Sequence, residues 1–367
     1  MSRRITAKVK SDERLMLVYL ITLAFGLVMV YSASSITAAS RHGSQWFFLR
    51  QQLAWAVLSL IVIFVLTRVD LKRFAPYSAP ALFLTIFVLP LVFLMEPRND
   101  AYRWLQVGPL TLQPSELFKF LMIMYLAFSL SNPRRNLADP RQMVVPYAPI
   151  IGTGLLLILL EPDLGACIVI CLTVLGMFFL AGARVKHIML ATLPPAALGS
   201  FVVFVLGYKS ERIYQYLASV LDPLTGGYQV KQAALTFGSG GWLGVGLGDG
   251  RQKLFFLPYP HTDFIFASIG EEVGLIGLIA VLAMLAFLIY SGCRIAIGQP
   301  DRFGFLLAAG MTWSLFVNIA INIGAVTSLL PVTGRALPFF SYGGSSLIVS
   351  SAAIGVLLNL SRRVEAR

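Results

Sequence analysis

Long apolar runs alternate with short polar segments along almost the whole chain. A helix needs roughly 20 mostly apolar residues to cross about 30 Å of hydrocarbon, and most of the runs approach or exceed this length. The runs cover residues 15–36, 52–67, 77–95, 117–130, 147–160, 164–181, 188–206, 264–290, 303–330 and 339–360. The pattern predicts an all-α integral membrane protein with about ten transmembrane helices. The fourth and fifth runs are short, so nine or eleven helices are alternatives.

The composition agrees with a membrane protein. Hydrophobic residues make up 57% and charged residues 13% of the 367 residues, and the mean hydropathy is +0.78. A soluble globular domain would carry about 25% charged residues. No hydrophilic region is long enough for a second folded domain, so we expect residues 1–367 to form a single membrane domain.

The distribution of Lys and Arg predicts the orientation, because cytoplasmic flanks carry the excess of these residues. It favours cytoplasmic tails at 1–14 and 361–367 and places a large loop, 207–263, outside the cell between the seventh and eighth helices. The net charge of +12 follows from the same bias, with attraction to anionic membrane lipids as the alternative. The basic residues are spread over many short loops, which argues against nucleic-acid binding.

The end of the large loop carries the first candidate for chemistry. Residues 253–263 (KLFFLPYPHTD) precede an apolar run that begins at Phe264. A carboxylate at Asp263 would be held by a rigid helix end at the boundary between membrane and water. The alternatives are that Asp263 only caps the next helix, with Thr262 as a competing cap, or that His261 is the base, since histidine is the usual choice near neutral pH.

Further charged residues lie at the edges of apolar runs, where polar groups are costly and are functional candidates. Glu116 and Lys119 are three residues apart, so they share a helical face and can pair; a structural ion pair and a substrate role are both open. In Glu161-Pro162-Asp163, the proline ends one helix and Asp163 can cap the next, which is the alternative to a functional role. Glu161 has no comparably simple explanation.

Three other segments favour turns or interfaces. Residues 211–221 have the spacing of a short amphipathic helix that lies along the membrane surface. Residues 238–250 (GSGGWLGVGLGDG) predict a tight re-entrant turn that needs glycine at positive φ, with binding of a lipid pyrophosphate by backbone amides as the alternative. Residues 330–346 place prolines, glycines and hydroxyls between two helices and predict the lining of a polar groove, with turn chemistry as the alternative.

Several motifs along the chain, taken together and in this order, resemble the SEDS family of bacterial cell-wall polymerases, which includes FtsW, RodA and SpoVE. They are Tyr31-Ser-Ala-Ser, Arg103-Trp104 followed by Gln113-Pro-Ser-Glu116 and Lys119, Pro162-Asp163-Leu-Gly165, His261-Thr-Asp-Phe-Ile-Phe266 with Glu271-Glu272, and Pro338-Phe-Phe-Ser-Tyr-Gly-Gly-Ser-Ser346. The resemblance covers essentially the whole chain. Residues 46–52, 229–232 and 248–253 look closer to the FtsW branch, which acts in division, whereas 331–334 also occurs in RodA-like members.

The resemblance implies a peptidoglycan glycosyltransferase that polymerises lipid II on the outer face of the plasma membrane, with the division septum as its expected location. Asp263 then matches the acid that the family needs for activity, and Trp104, Glu116, Lys119 and Asp163 match other functional positions. The implied partners are a class B penicillin-binding protein with transpeptidase activity and other proteins of the division or elongation complex.

The chain also departs from the family pattern. Asp100 precedes Ala where Gly is usual, Glu161 replaces a common Gln, and Ala166 replaces a common Thr. None of these changes affects the candidate base, but they leave the details of the outer loop open.

The candidate residues suit this reaction, in which the 4-hydroxyl of one lipid-linked disaccharide attacks the anomeric carbon of another chain and expels a lipid pyrophosphate. A carboxylate that accepts the hydroxyl proton supplies roughly 10²–10⁴ in rate. Pyrophosphate leaves without protonation if cations, or a divalent metal such as Mg²⁺ or Mn²⁺, neutralise it. The cations expected near the pyrophosphate are Arg103, Lys119, Lys253 and Arg335. His261 is expected in a supporting or structural role, and Ser341 among the substrate-binding residues of the groove lining.

Other functions are also compatible with the pattern. A lipid II flippase would use about ten helices with broken segments, but its polar groups would be distributed through the bilayer depth. A RodA-type elongation polymerase and a non-enzymatic scaffold that recruits a transpeptidase are further alternatives.

Overall fold

A computed structural model describes residues 12–96, 102–108, 110–135, 139–208, 210–221, 226–251, 253–254 and 256–364. The elements in these ranges are α1 (Glu13–His42), α2 (Phe47–Leu66), α3 (Leu71–Phe74), α4 (Ser78–Val88), β1 (Leu105–Val107), β2 (Leu110–Leu112), α5 (Pro114–Leu130), α6 (Pro140–Val144), α7 (Ala148–Leu160), α8 (Leu164–Leu180), α9 (Val185–Ser200), α10 (Ser210–Leu221), α11 (Tyr228–Gly240), α12 (Ile265–Ile297), α13 (Arg302–Val326) and α14 (Gly344–Val364). Most of the tail predicted at 1–14, the end of the tail at 361–367, and Asp100 lie outside the described residues.

Each predicted apolar run coincides with a helix, which confirms an all-α membrane fold. Seven helical stretches in the described parts of the chain are long and apolar enough to span a membrane, namely Glu13–His42, Phe47–Leu66, Leu71–Leu94, Val185–Val205, Ile265–Ile297, Arg302–Val326 and Gly344–Arg362. Two shorter apolar helices, Ala148–Leu160 and Leu164–Leu180, accompany them. The count of ten spans and the orientation stay predictions.

The last two helices are shorter than their apolar runs suggested. α13 ends at Val326 and α14 begins at Gly344, so residues 327–343 form an irregular segment. Ser328 and Phe339 have positive φ angles of 63° and 70°, which a helix does not allow. Hydropathy could not reveal this, because apolar residues continue through both boundaries.

The helices pack closely where small residues meet aromatic ones, as is usual in membranes. Gly344 lies against the indole ring of Trp55 in α2, and Gly176 in α8 lies against Trp313 in α13. α13 and α14 are the most enclosed of the seven long stretches, so they form the centre of the bundle. The start of α14 and the segment before it are thereby fixed in position.

α12 is interrupted at Gly274, which has φ 67° and ψ −171°. The backbone groups exposed by this break bond to residues 241–250, which we call the glycine loop. The amides of Val245 and Gly246 donate to the carbonyls of Glu271 and Glu272 at 2.9 and 3.1 Å. Beyond the break, the amides of Leu275 and Ile276 donate to the carbonyls of Gly241 and Trp242 at 3.0 and 3.2 Å.

The sequence predicted a turn with glycines at positive φ over residues 238–250; the structure has such a turn in the glycine loop, whereas residues 238–240 belong to α11. Gly241, Gly244, Gly246 and Gly248 all have positive φ angles. Several of its amides are used by α12: besides Val245 and Gly246, the amide of Gly248 donates to the side chain of Glu272 at 3.0 Å. This leaves less of the loop available for the alternative role of binding a pyrophosphate.

We expect Gly274→Ala to destabilise the protein. A side chain is strained at this φ, at a cost of about 1–3 kcal/mol, and its Cβ would collide with backbone atoms of Gly244 and Trp242. Thermal unfolding in detergent measures the effect. Gly152→Ala is the matched control, because an added Cβ there meets nothing within 4 Å, and alanine in a helix is favoured over glycine by up to about 1 kcal/mol. Equal unfolding temperatures for both variants would contradict the described break.

Candidate active site

Charged side chains from separate parts of the chain meet at one end of the helical bundle. They come from the residue pair before β1, the first turns of α5, the turn between α7 and α8, and the irregular segment 327–343. We call this group the ion cluster; its members are Arg103, Glu116, Lys119, Asp163 and Arg335.

Arg335 lies at the centre of the ion cluster and is almost fully buried. Its guanidinium donates a hydrogen bond to Oε1 of Glu116, and its Nη1 lies 3.7 Å from Oδ2 of Asp163. Burial lowers the pKa of Arg335, but the carboxylates of Glu116 and Asp163 outweigh this effect and leave its pKa above the ordinary value. Arg335 is therefore a permanent cation that joins two carboxylates.

Glu116 and Lys119 form the pair that their spacing predicted. Lys119 Nζ lies 2.7 Å from Glu116 Oε2, and the two side chains are 5% and 3% exposed. α5 begins at Pro114, which places Glu116 in its first turn, where the helix dipole favours a negative charge. The pair is part of a larger network, because Glu116 also accepts from Arg335.

Asp163 caps a helix, as its position in the sequence predicted, and also belongs to the ion cluster. Its Oδ1 accepts from the amide of Ala166 at 3.0 Å and so caps α8. Its Oδ2 accepts from Gln113 Nε2 at 3.2 Å and lies 3.5 Å from Arg103 Nε. A simple cap would not need these cations, so Asp163 also fixes the charge balance of the ion cluster.

Asp263 lies next to the ion cluster and is partly exposed. A Cβ placed on Gly334 would be 3.5 Å from its Oδ2, so the residue before Arg335 lies against this carboxylate. Among the described residues, no side chain hydrogen-bonds to the Asp263 carboxylate or pairs with it. Its alternative role as a helix cap is not observed, because α12 begins after Phe264 without a side-chain cap.

The surroundings of Asp263 change its acidity. Burial raises its pKa, while Arg103, Arg335 and Arg212 act in the opposite direction and Asp163 adds to the increase. The net result is a raised pKa. Desolvation therefore outweighs the effect of the three arginines.

Two polar side chains and one backbone amide hold the chain around Asp263 in place. Asn322 donates from Nδ2 to the carbonyls of Asp263 at 2.9 Å and of Arg335 at 2.6 Å. Ser341 donates to the carbonyl of Thr262 at 2.7 Å, and the amide of Tyr342 donates to the carbonyl of His261 at 2.9 Å. These bonds fix the segment before α12 against the segment before α14.

His261 has a structural position, as the resemblance suggested. Its ring packs against Phe48 with the ring centroids 4.6 Å apart. Burial, followed by the charge of Arg41, lowers its pKa to about 4. It is therefore neutral at pH 7, but burial makes it a weak base.

Lys253 does not belong to the ion cluster, contrary to its predicted place near the pyrophosphate. Its ammonium is buried against Glu272 Oε1 at 2.8 Å and Ser32 Oγ at 3.1 Å. The glycine loop folds back onto α12 and brings Lys253 to this second carboxylate. The structure therefore gives Lys253 a structural partner and does not support its role at the leaving group.

The remaining site residues are placed as follows. Trp104 lies beside Arg103, ahead of β1, and is partly exposed. Asn322 and Arg212 were missed by the sequence interpretation. Asn322 could have been found, since a buried amide within an apolar helix is costly and signals a function; Arg212 is one of several basic residues of the large loop and had no distinguishing signal.

Glu161 is a buried carboxyl group in the turn between α7 and α8. The residue is 0% exposed, and both oxygens lack a hydrogen-bond partner in the described structure. Burial and then the nearby charge of Asp163 raise its pKa to about 8, against the opposing effect of Arg103. Glu161 is therefore mostly protonated at pH 7, and in that form it resembles the glutamine that the family commonly has.

The donor set does not favour a resident metal ion. The carboxylates of the ion cluster are bound by guanidinium and ammonium groups, and the described residues contain no group of three or more His, Cys, Asp or Glu side chains that could hold a metal. The positive charge that acts on Asp263 comes from Arg103, Arg335 and Arg212.

We expect Glu161→Gln to stabilise the protein increasingly as the pH rises from 5 to 8. The unfolded chain ionises near pH 4.5, but the folded protein must keep Glu161 protonated up to about pH 8, so wild-type stability falls across this window. Glutamine removes this loss. Unfolding temperatures of the two proteins should be similar at pH 5 and differ by several degrees at pH 8.

Asp249→Asn serves as the control, because it removes a carboxylate that is exposed. Its difference from wild type should not change with pH. A Glu161→Gln difference that stays constant between pH 5 and pH 8 would show that Glu161 is ionised in the folded protein.

Comparison with known proteins agrees with the resemblance seen in the motifs. Residues 13–366 match the FtsW/RodA/SpoVE family, described as cell cycle proteins. Similar curated proteins include stage V sporulation protein E of Bacillus subtilis, 41% identical over 97% of this chain and 98% of that protein. A probable peptidoglycan glycosyltransferase FtsW of Geobacter sulfurreducens is 40% identical over the same shares of both chains.

Solved structures with the same fold include a chain of a peptidoglycan synthase complex that coordinates polymerization and crosslinking. It has a TM-score of 0.78 and 27% identity, with 96% of this chain and 98% of that chain covered. The rod shape determining protein RodA of Thermus thermophilus has a TM-score of 0.69 and 26% identity, covering 96% and 97% of the two chains. The chain therefore belongs to the FtsW/RodA/SpoVE family of multi-pass membrane proteins, also called the SEDS family.

Proposed function

We propose that the protein is a peptidoglycan glycosyltransferase that polymerises lipid II into glycan strands on the outer face of the bacterial plasma membrane. The observation that carries the proposal is the position of Asp263, whose carboxylate has no partner among the described residues, beside the buried guanidinium of Arg335. The names of the full-length relatives support the reaction type.

Asp263 has the properties of a general base for this reaction. It is partly exposed and takes no part in the ion pairs around it, so a sugar hydroxyl can reach it. Its raised pKa makes it a stronger proton acceptor than an ordinary carboxylate. Asp263 accepts the proton of the attacking 4-hydroxyl as the new glycosidic bond forms.

The charge balance of the site suits an anionic leaving group. Arg103, Lys119, Arg335 and Arg212 carry four positive charges against the three negative charges of Glu116, Asp163 and Asp263, while Glu161 is protonated. When Asp263 takes up the proton, its negative charge disappears and the site becomes more positive. This change occurs in the step that releases the pyrophosphate, so the same proton transfer strengthens the attraction for the departing anion.

The biological setting is part of the proposal. Relatives named FtsW and SpoVE support a role in division or sporulation over a RodA-type role in elongation. The similar chain in a peptidoglycan synthase complex supports a penicillin-binding protein with transpeptidase activity as a partner. Cytoplasmic termini and a septal location complete the proposal.

We expect Asp263→Asn to abolish glycan synthesis by purified protein supplied with labelled lipid II and a cognate transpeptidase. The amide is nearly isosteric but cannot accept the proton, and losing a general base costs roughly 10²–10⁴ in rate. Gel analysis of the glycan strands measures the effect, with Asp249→Asn as the control.

The same preparations distinguish the competing functions. Equal polymer from wild type and Asp263→Asn would reject Asp263 as the base. Transport of lipid II across vesicles by wild type, without polymer formation, would instead indicate a flippase. Absence of both activities would be the result for a scaffold.

A further inference from the structure

A cavity of about 400 Å³ lies beside the candidate active site. Its walls come from α10, the start of α11, Pro258 and the irregular segment 327–343. Its volume is in the range of about 300–1,000 Å³ that is usual for small-ligand sites. None of the ion-cluster residues line it, so it is a separate feature from the pyrophosphate region.

The cavity offers hydrogen-bonding groups that can both donate and accept. Gln215 donates from Nε2 to Glu211 Oε1 at 2.8 Å, and its carbonyl oxygen, which lies against Gly227, is an acceptor. Gln229 has no side-chain partner among the described residues and lines the same space. An amide carries donors and acceptors in one group, as hydroxyl and acetamido groups of a sugar require.

Two tyrosines make the cavity walls rigid. The hydroxyl of Tyr216 donates to the carbonyl of Leu329 at 3.0 Å, and the hydroxyl of Tyr228 donates to the carbonyl of Phe256 at 2.9 Å. Each bond joins a helix to a neighbouring loop. The space between α10 and the irregular segment is therefore held open by fixed elements.

The chemistry of the walls restricts the class of ligand. Glu211 and Arg212 place one negative and one positive charge on the walls, so the cavity has no excess of positive charge for a second phosphate. The amides disfavour a hydrocarbon chain, since buried polar groups need partners. Val230 and Leu330 add apolar surface, against which the methyl of an N-acetyl group can pack. A polar, uncharged ring with an acetamido group fits these features together.

The cavity lies close to Asp263. Val332 lines the cavity, and Gly334, two residues later, lies against the Asp263 carboxylate. Two residues of extended chain span at most about 7 Å. Arg212 also lies between the two, because it lines the cavity and donates to the carbonyl of Val332 at 3.2 Å. Its positive charge is close enough to Asp263 to act against the rise of that carboxyl's pKa.

We propose that this cavity is a saccharide subsite that binds an N-acetylated amino sugar of the substrate, adjacent to the sugar that reacts at Asp263. The inference rests on the proposed glycosyltransferase function and adds a binding site to it. The sugar belongs either to the incoming lipid-linked disaccharide or to the growing strand, which share this chemistry.

The test is the double variant Gln215→Ala/Gln229→Ala in the full-length protein with its transpeptidase. It removes hydrogen-bonding groups of the cavity but leaves Asp263 and the ion cluster unchanged. We expect either the KM for lipid II to rise roughly 10-fold or the strands to become roughly 10-fold shorter, as for the loss of two hydrogen bonds. The kcat at saturating lipid II should stay within about twofold of the wild-type value. Gln45→Ala, an exposed glutamine between α1 and α2, is the matched control.

Two readouts identify the source of the sugar. If the cavity binds the incoming disaccharide, the first coupling of two lipid II molecules slows at low concentration. If it binds the growing strand, the first coupling is unchanged and the strands become shorter. Unchanged KM and strand length, or a loss confined to kcat, would overturn the proposal.

A competition experiment with wild-type protein does not depend on the folding of a variant. Soluble N-acetylglucosamine tetramer should inhibit polymerisation more strongly than a glucose tetramer of the same length, and equal effects would count against the subsite. If wild type makes no polymer at all, the proposed function fails, and binding of the same two tetramers, followed by thermal shift, still tests the cavity.

Discussion

The arrangement of this protein depends on the cost of burying charge. An ion taken out of water costs several kcal/mol unless an opposite charge and further hydrogen bonds lie against it. Arg335 is almost fully buried and meets this requirement only with Glu116 and Asp163 present together. The start of α5, the turn between α7 and α8, and the irregular segment must therefore assemble in one arrangement. Asp263 is positioned by the same requirement, since Gly334 beside it precedes Arg335 in the chain.

The acidic residues of this region differ in role because their surroundings differ. Glu116 and Asp163 are paired with cations and remain fixed charges. Asp263 has no such partner in the described parts of the chain and is partly exposed, which suits its proposed role as the base. Glu161 is fully buried, its oxygens have no hydrogen-bond partner among the described residues, and it stays mostly protonated near neutral pH. Such a separation of environments is how one site supports several functions with the same type of side chain.

Much of this could be predicted from the sequence, because the signals were local. Apolar runs located the helices, the three-residue spacing paired Glu116 with Lys119, and an aspartate before a helix gave the cap at Asp163. Contacts between distant segments could not be derived in the same way. Arg335 is 219 residues from Glu116, and Lys253 finds Glu272 only because the glycine loop folds back. The cavity beside Asp263 is formed by packing, so no sequence motif indicates it.

The interruption of α12 has a mechanical consequence. The glycine loop hydrogen-bonds to residues on both sides of Gly274, so it stiffens a helix break that would otherwise bend easily. At its tip, Trp242 and Leu243 are 71% and 79% exposed. A partner that displaced this tip would also bend α12 at Gly274. The part of α12 before the break starts next to Asp263, so such bending would tilt Asp263 relative to the neighbouring cations.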